Sequence, residues 1–254
     1  MATIEEFLSV VIPAYNEELR IGPTLGGMCG FLKDHFRNFE ILVVDDGSTD
    51  NTKAVVEDLA REFGNIRLIA YPANRGKGHA VGRGVLDSRG DLVLFSDADM
   101  STPVEEVEKL VPFIHEGFDI VIGSRGLKGS DVRVRQPWYR EGMGKMFNLM
   151  VRLLAVGGIR DTQCGFKLFR GGVARSLFRK TMIKGFAFDV EVLFLAKKSG
   201  YKIREVPIRW LNSPSSKVRL IRDPLKMFLE LLKIRIYSLL GRYGPAGEKR
   251  EQNF

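Results

Sequence analysis

The sequence predicts an α/β fold of the open, wound type, and three observations carry it. Short runs rich in β-branched and aromatic residues recur: "LSVVIP" (8–13), "FEILVV" (39–44), "IRLIAY" (66–71), "DLVLFS" (91–96) and "FDIVIG" (118–123). Helix-like stretches separate them, at 17–36, 51–63, 77–88 and 103–116. The chain has 254 residues, 44% of them hydrophobic and 28% charged, which is enough to bury a sizeable core and ordinary for a folded protein. Strands separated by helices of this length imply βαβ units and a parallel sheet buried on both faces.

Taken in order, Thr49 or Asp50 is placed to cap the second helix. Ser101 or Thr102 is placed to cap the fourth, with Pro103 in its first turn. After residue 124 the pattern changes. "RGLKGSDVRVRQP" (125–137) reads as a polar, basic loop, and a helix-like stretch follows to about residue 156. "DTQCGFKLFR" (161–170) reads as loop into strand, and "FDVEVLFLAKKSG" (188–200) as a helix with a glycine stop. "YKIREVPIRW" (201–210) alternates like a strand whose Pro207 favours an edge. In "DPLKMFLELLKIRIYSLLGR" (223–242), Leu225, Phe228, Leu229, Leu232, Ile236 and Leu239 form one apolar face, flanked by Lys226, Lys233, Arg235 and Arg242.

Charge is uneven along the chain. Residues 197–254 hold 14 Lys and Arg against 5 Asp and Glu, whereas residues 1–196 hold 25 against 26. Such a basic end suits an anionic surface, either nucleic acid or phospholipid headgroups. No apolar run reaches the roughly 18 residues of a membrane span, and "MATIEEFLSVVIP" does not read as a signal peptide. The expectation is a cytoplasmic protein. Cys29 and Cys164 read as buried thiols rather than a disulfide framework. His35, His79 and His115 show no metal-ligand spacing.

In an open parallel sheet, ligands bind outside the carboxyl ends of the strands. Four polar clusters follow strands here: "AYNE" (14–17), "DDGSTD" (45–50), "NRGKGHA" (74–80) and "DADMS" (97–101). They should converge on one rim. Asp45, Asp46, Asp97 and Asp99 would repel one another there unless something positive neutralised them. Two carboxylates one residue apart suit a hard cation that also holds the oxygens of a diphosphate. An acidic rim argues against nucleic acid as the partner.

"VVIPAYNE" (10–17), "ILVVDDGSTDNT" (41–52), "NRGKGHAVGRG" (74–84) and "LFSDADMSTP" (94–103) resemble the successive motifs of glycosyltransferase family 2. "DTQCGFKLF" (161–169) and "FAFDVEVLFLA" (186–196) resemble its dolichyl-phosphate β-glucosyltransferase branch, related to dolichyl-phosphate mannose synthases. The resemblance implies a GT-A fold with a mixed, mainly parallel sheet. It implies that Pro13, Ala14, Tyr15 and Glu17 cradle the base and ribose, and that Asp46 touches the base. Lys77 and Ala98 would lie at the donor, Asp97 by the ribose or sugar, and Asp99, with Asp97, on Mg²⁺ or Mn²⁺. Asp161, Gln163 and Asp189 would border the sugar and acceptor. The motif glycines Gly76 and Gly78 also suit a tight turn, and Lys77 also suits open solvent.

The implied reaction moves a hexose, glucose from UDP-glucose or mannose from GDP-mannose, to a polyprenyl or dolichyl phosphate with inversion. A phosphate acceptor needs cations rather than a base, and Arg125, Arg133, Arg135 and Lys167 are the candidates. Glu191 is either an orienting or base residue, or the ion-pair partner of Arg125 or Lys167. A hydroxyl acceptor would instead demand a base such as Asp189 or Glu191. Residues 1–211 form the expected transferase domain, with a donor half at about 8–124 and an acceptor half at about 125–211. Residues 212–254 form a basic amphipathic segment that either lies on an anionic membrane or packs on the domain core.

Overall fold

The computed structural model describes residues 3–132, 151, 155–211 and 222–244. Its strands are β1 (Leu8–Ala14), β2 (Phe39–Asp45), β3 (Ile66–Ala70), β4 (Leu92–Ser96), β5 (Ile120–Ser124), β6 (Asp131–Val132), β7 (Phe166–Arg170), β8 (Ile203–Pro207) and β9 (Arg209–Trp210). Its helices are α1 (Ile21–His35), α2 (Thr52–Phe63), α3 (Lys77–Asp87), α4 (Val107–His115), α5 (Gly171–Phe178), α6 (Phe188–Lys198) and α7 (Arg222–Leu239). Seven strands make one sheet in the order β3-β2-β1-β4-β7-β5-β8, and β6 pairs with β9 beside it.

The five early strands form within two residues of the expected runs, because their apolar side chains feed both faces of the sheet. Val11, Leu42, Val93 and Phe95 pack with α3, α5 and α6 on one face. Val10, Ile12, Ile41, Val43 and Leu94 pack with α1 and α4 on the other. Strands buried on both faces carry continuous apolar runs.

The sheet departs from the wholly parallel arrangement that βαβ units alone imply. β7 runs antiparallel to both of its neighbours, β4 and β5. Its first residue, Phe166, pairs with Ser96, the last residue of β4. The chain therefore enters β7 from the carboxyl rim, and an antiparallel strand is the short way in. Residues 161–165 are thereby delivered to the same rim as the loops after β1 to β4. Pro207 ends β8, which lies at the sheet edge as expected.

The caps differ from expectation at both helices, for Asn51 rather than Thr49 or Asp50 stands at the N-cap of α2 and makes no side-chain cap. Asp50 accepts the Thr52 amide at 3.0 Å at the start of α2. Neither Ser101 nor Thr102 caps the fourth helix. A 3₁₀ turn (Val104–Glu106) leads into α4, closed by the Glu106 amide on the Pro103 carbonyl at 3.1 Å. Gly200, with φ +77°, provides the stop after α6.

The helix expected over residues 138–156 and the end of the 125–137 loop fall almost entirely outside the described residues. Among the described residues no helix is long and apolar enough to cross a membrane. In α7 the buried row is Met227, Glu230, Leu231 and Ile234, which packs toward α6. The expected apolar face is the other one. Leu229, Leu232, Ile236 and Leu239 are 51%, 37%, 51% and 86% exposed.

Candidate active site

The loops after β1 to β4 meet at one rim, as the motif positions required. Asn16, at φ +53°, donates its amide to Ser48 Oγ at 2.8 Å and accepts the Thr49 amide at 2.8 Å. The Glu17 amide reaches Thr52 Oγ1 at 2.7 Å, so the "AYNE" and "DDGSTD" loops form one unit. Pro13 and Ala14 end β1 beneath it, Glu17 pairs with Arg20 at 2.6 Å, and Tyr15 is exposed above. Asp46 is buried and accepts the Arg75 and Gly76 amides at 2.8 Å each. Burial pushes its carboxyl above the usual range, against the pull of those two amides.

Lys77 opens α3 and reaches Asp97 Oδ1 at 2.7 Å, with its ammonium 5.3 Å from the Phe95 ring centre. Burial would lower this lysine, but Asp97, Asp189 and Asp99 outweigh it and hold the ammonium above its ordinary value. Lys77 is therefore one of the positive charges that offset the acidic rim. Gly165 packs against Asp97, where a Cβ would meet Oδ2 at 1.9 Å. Asp99 accepts the Ser101 amide on Oδ1 at 3.0 Å, and its Oδ2 has no hydrogen bond among the described residues. The intervening Ala98 is buried, and its carbonyl accepts Thr24 Oγ1 at 2.9 Å.

Carboxylate oxygens are the ligands a hard divalent cation prefers, and Asp99 has one oxygen to give. Among the described residues no three ligand-type side chains gather at one point. The donor set fits a Mg²⁺ or Mn²⁺ site completed by diphosphate oxygens, rather than a closed protein cage.

In the second half of the chain, packing sets the partners of Arg125, Lys167 and Glu191. Arg125 is held by Asp161 through Nε at 2.7 Å, Nη2 at 2.8 Å and its own amide at 2.9 Å, with Trp210 5.4 Å away. Arg125 outweighs burial and keeps the Asp161 carboxyl below the usual range. Lys167 is buried, and its Nζ lies 2.5 Å from both the Cys164 carbonyl and Asp189. It neutralises Asp189 inside the core, so it offers no charge to an acceptor phosphate. Glu191 pairs with neither Arg125 nor Lys167. Fully buried, it accepts the Met182 and Ile183 amides at 3.0 and 2.9 Å and the Tyr243 hydroxyl at 2.7 Å. Gln163 sits half-buried in the turn before β7. Arg133 and Arg135 lie outside the described residues. Burial pushes the Cys164 thiol up to about 12, which leaves it protonated and inert.

The model of glycosyl transferase family 2 matches residues 9–178, spanning all four rim loops and β7. The chain belongs to glycosyltransferase family 2. Its relatives in the family include dolichyl-phosphate beta-glucosyltransferases of Dictyostelium discoideum, Saccharomyces cerevisiae and Homo sapiens. They are 38%, 38% and 35% identical, over 92%, 94% and 93% of this chain and 76%, 77% and 77% of theirs. Among solved structures, glucosyl-3-phosphoglycerate synthase from Mycobacterium tuberculosis, in complex with Mn²⁺, uridine diphosphate and phosphoglyceric acid, shares the fold. It superposes with a TM-score of 0.69 at 22% identity, over 95% of this chain and 80% of that one. Mannosyl-3-phosphoglycerate synthase from Rubrobacter xylanophilus gives 0.68 at 21%, over 98% and 78%.

Three features of this glycosyltransferase site escape a reading by motif. Gly165 stands in the quoted "QCGF", yet its contact with Asp97 depends on β7 being antiparallel. The close approach of residues 183–185 to the glycine loop links positions more than 100 apart. A Cβ at Gly76 would meet the Lys184 carbonyl at 2.4 Å, and one at Gly78 the Ile183 carbonyl at 2.6 Å. These glycines serve that approach as well as the turn, where Gly76 has φ +105°. Tyr243 and Glu230 enter from the C-terminal segment, and only packing reveals them.

Proposed function

We propose that this family 2 glycosyltransferase moves glucose from UDP-glucose to a dolichyl or related polyprenyl phosphate, giving a β-linked lipid phosphate sugar. The observation that carries the reading is the acidic rim around Lys77, in a chain whose relatives of that activity match along nine-tenths of its length. An acceptor phosphate oxygen attacks the anomeric carbon from the side opposite the diphosphate. The bond from that carbon to the diphosphate breaks, and the electron pair leaves with UDP. No proton moves, because the acceptor is ionised near neutral pH.

The loops after β1 and β2 hold the nucleoside, with Pro13, Ala14, Tyr15, Glu17 and Asp46 as the lining. Lys77 and Asp97 orient the sugar end of the donor, with Asp161, Gln163 and Asp189 behind it. Asp99, assisted by Asp97, would hold Mg²⁺ or Mn²⁺, which offsets the charge that builds on the diphosphate. Arg125, fixed by Asp161 yet with Nη1 outside that pair, is the cation for the acceptor phosphate. Arg133 and Arg135, next in the sequence, are the further candidates for that phosphate. Residues 1–211 act as the transferase domain, its donor half (about 8–124) and acceptor half (about 125–211) sharing one sheet. The remaining segment rests on an anionic, cytoplasmic membrane face through the exposed leucines of α7.

A hydroxyl acceptor would need Asp189 or Glu191 as base, and both carboxylates are buried and engaged. Donor panels test the reading, using UDP-glucose and GDP-mannose with a short polyprenyl phosphate, with and without chelator. Turnover with UDP-glucose, lost on chelation, is expected. GDP-mannose as the better donor, or turnover indifferent to chelator, would contradict it.

A further inference from the structure

The C-terminal segment touches the donor loop through a continuous set of contacts. Tyr243 donates its hydroxyl to Glu191, which grips the Met182 and Ile183 amides. The next residue, Lys184, accepts the Gly78 and His79 amides on its carbonyl at 2.9 and 3.3 Å, at the first turn of α3. One residue before Gly78 stands Lys77, on Asp97, and one before that Gly76, whose amide binds Asp46. From α7, Glu230 holds the far end of the same segment, accepting the Ala187 amide at 3.3 Å, while Gly185 leaves no room for a side chain against its carboxylate. Segment 182–187 is thus clamped by the C-terminal segment on one side and presses on the glycine loop with the other.

We propose that Glu191 and Tyr243 are positioning residues for donor binding, setting Lys77 and the Gly76–Gly78 backbone through segment 182–187. The proposal rests on the reading of that loop as part of the donor site. It gives a buried acid that touches no substrate a definite role, and it links the helix assigned to the membrane with the site where the sugar nucleotide binds. A carboxylate suits the task because it accepts two amides and a hydroxyl at once. A carboxamide offers one oxygen and turns a donor toward donors.

Tyr243→Phe removes one hydroxyl and keeps the ring packed, so it separates positioning from folding. The expected result is a rise of about three- to tenfold in KM for UDP-glucose with kcat within about twofold. UDP affinity by calorimetry should weaken equally, and amide exchange should quicken at Gly78 and His79 but not in β1 or β4. Glu191→Gln should raise KM further, and the double variant should be no worse than Glu191→Gln alone, since both act along one route. Unchanged KM and exchange in Tyr243→Phe, or additive effects in the double variant, would overturn the proposal. Loss of kcat with unaltered UDP affinity in Glu191→Gln would also overturn it, and would favour a base role. An Asp99→Ala variant run in parallel keeps the two readings apart. Full activity there would count against the proposed reaction, whatever Tyr243→Phe does.

Discussion

Asp161 and Arg125 illustrate what a single pair decides at this rim. Asp161 is buried and receives two guanidinium hydrogen bonds and a backbone amide. Asp161→Asn leaves Arg125 facing one oxygen, and a cost of about 2–4 kcal/mol at neutral pH is expected from denaturant unfolding. The sign of the pH dependence follows from the lowered carboxyl. A group depressed in the folded state releases its proton there more readily than in the unfolded chain. Its contribution is complete above the ordinary aspartate value of about 3.9 and fades as pH falls toward the folded value. The stability gap between wild type and Asp161→Asn should hold steady from about pH 7 to pH 5 and shrink below about pH 4. A gap unchanged down to about pH 3 would refute the assignment. At this scale the carboxylates at strand ends were legible in the sequence, because a strand end fixes its own rim position. The partners of Lys167 and Glu191 were not, since Asp189 and Tyr243 reach them from other elements, whose packing local pattern does not fix.

Among the elements, β1 to β5 and their helices follow from local pattern, because the apolar runs of β1, β2, β4 and β5 are buried from both sides and that of the edge strand β3 is partly buried. β7 is readable as a strand but not in its direction, which depends on where the preceding loop re-enters the sheet. Of the two places left open for the stripe along α7, the core is taken by another row, for periodicity gives a helix its faces without saying which meets the core. The core row contains Glu230, an acid that a hydropathy pattern assigns to solvent. The exposed row has its own consequence. Leu232→Glu with Ile236→Glu should leave unfolding within about 0.5 kcal/mol of wild type and turnover of a short soluble acceptor unchanged. Cosedimentation with vesicles containing phosphatidylglycerol should fall at least about tenfold. Retained vesicle binding would remove α7 from the membrane contact.

Across the molecule, parallel strands and one antiparallel strand bring acids from distant segments to a single edge, where Lys77 pairs with Asp97 and Arg125 with Asp161. These cations balance part of that charge, and in the proposed reaction a divalent ion and a diphosphate would complete the rim. The central claim is that Asp99 grips that ion. Calorimetric titration of UDP in the presence of Mn²⁺, on wild type and on Asp99→Ala, tests it most directly. Binding that depends on Mn²⁺ in the wild type and weakens at least about tenfold in the variant is the predicted result. Equal UDP affinity in the two proteins, or binding indifferent to the metal, would contradict it.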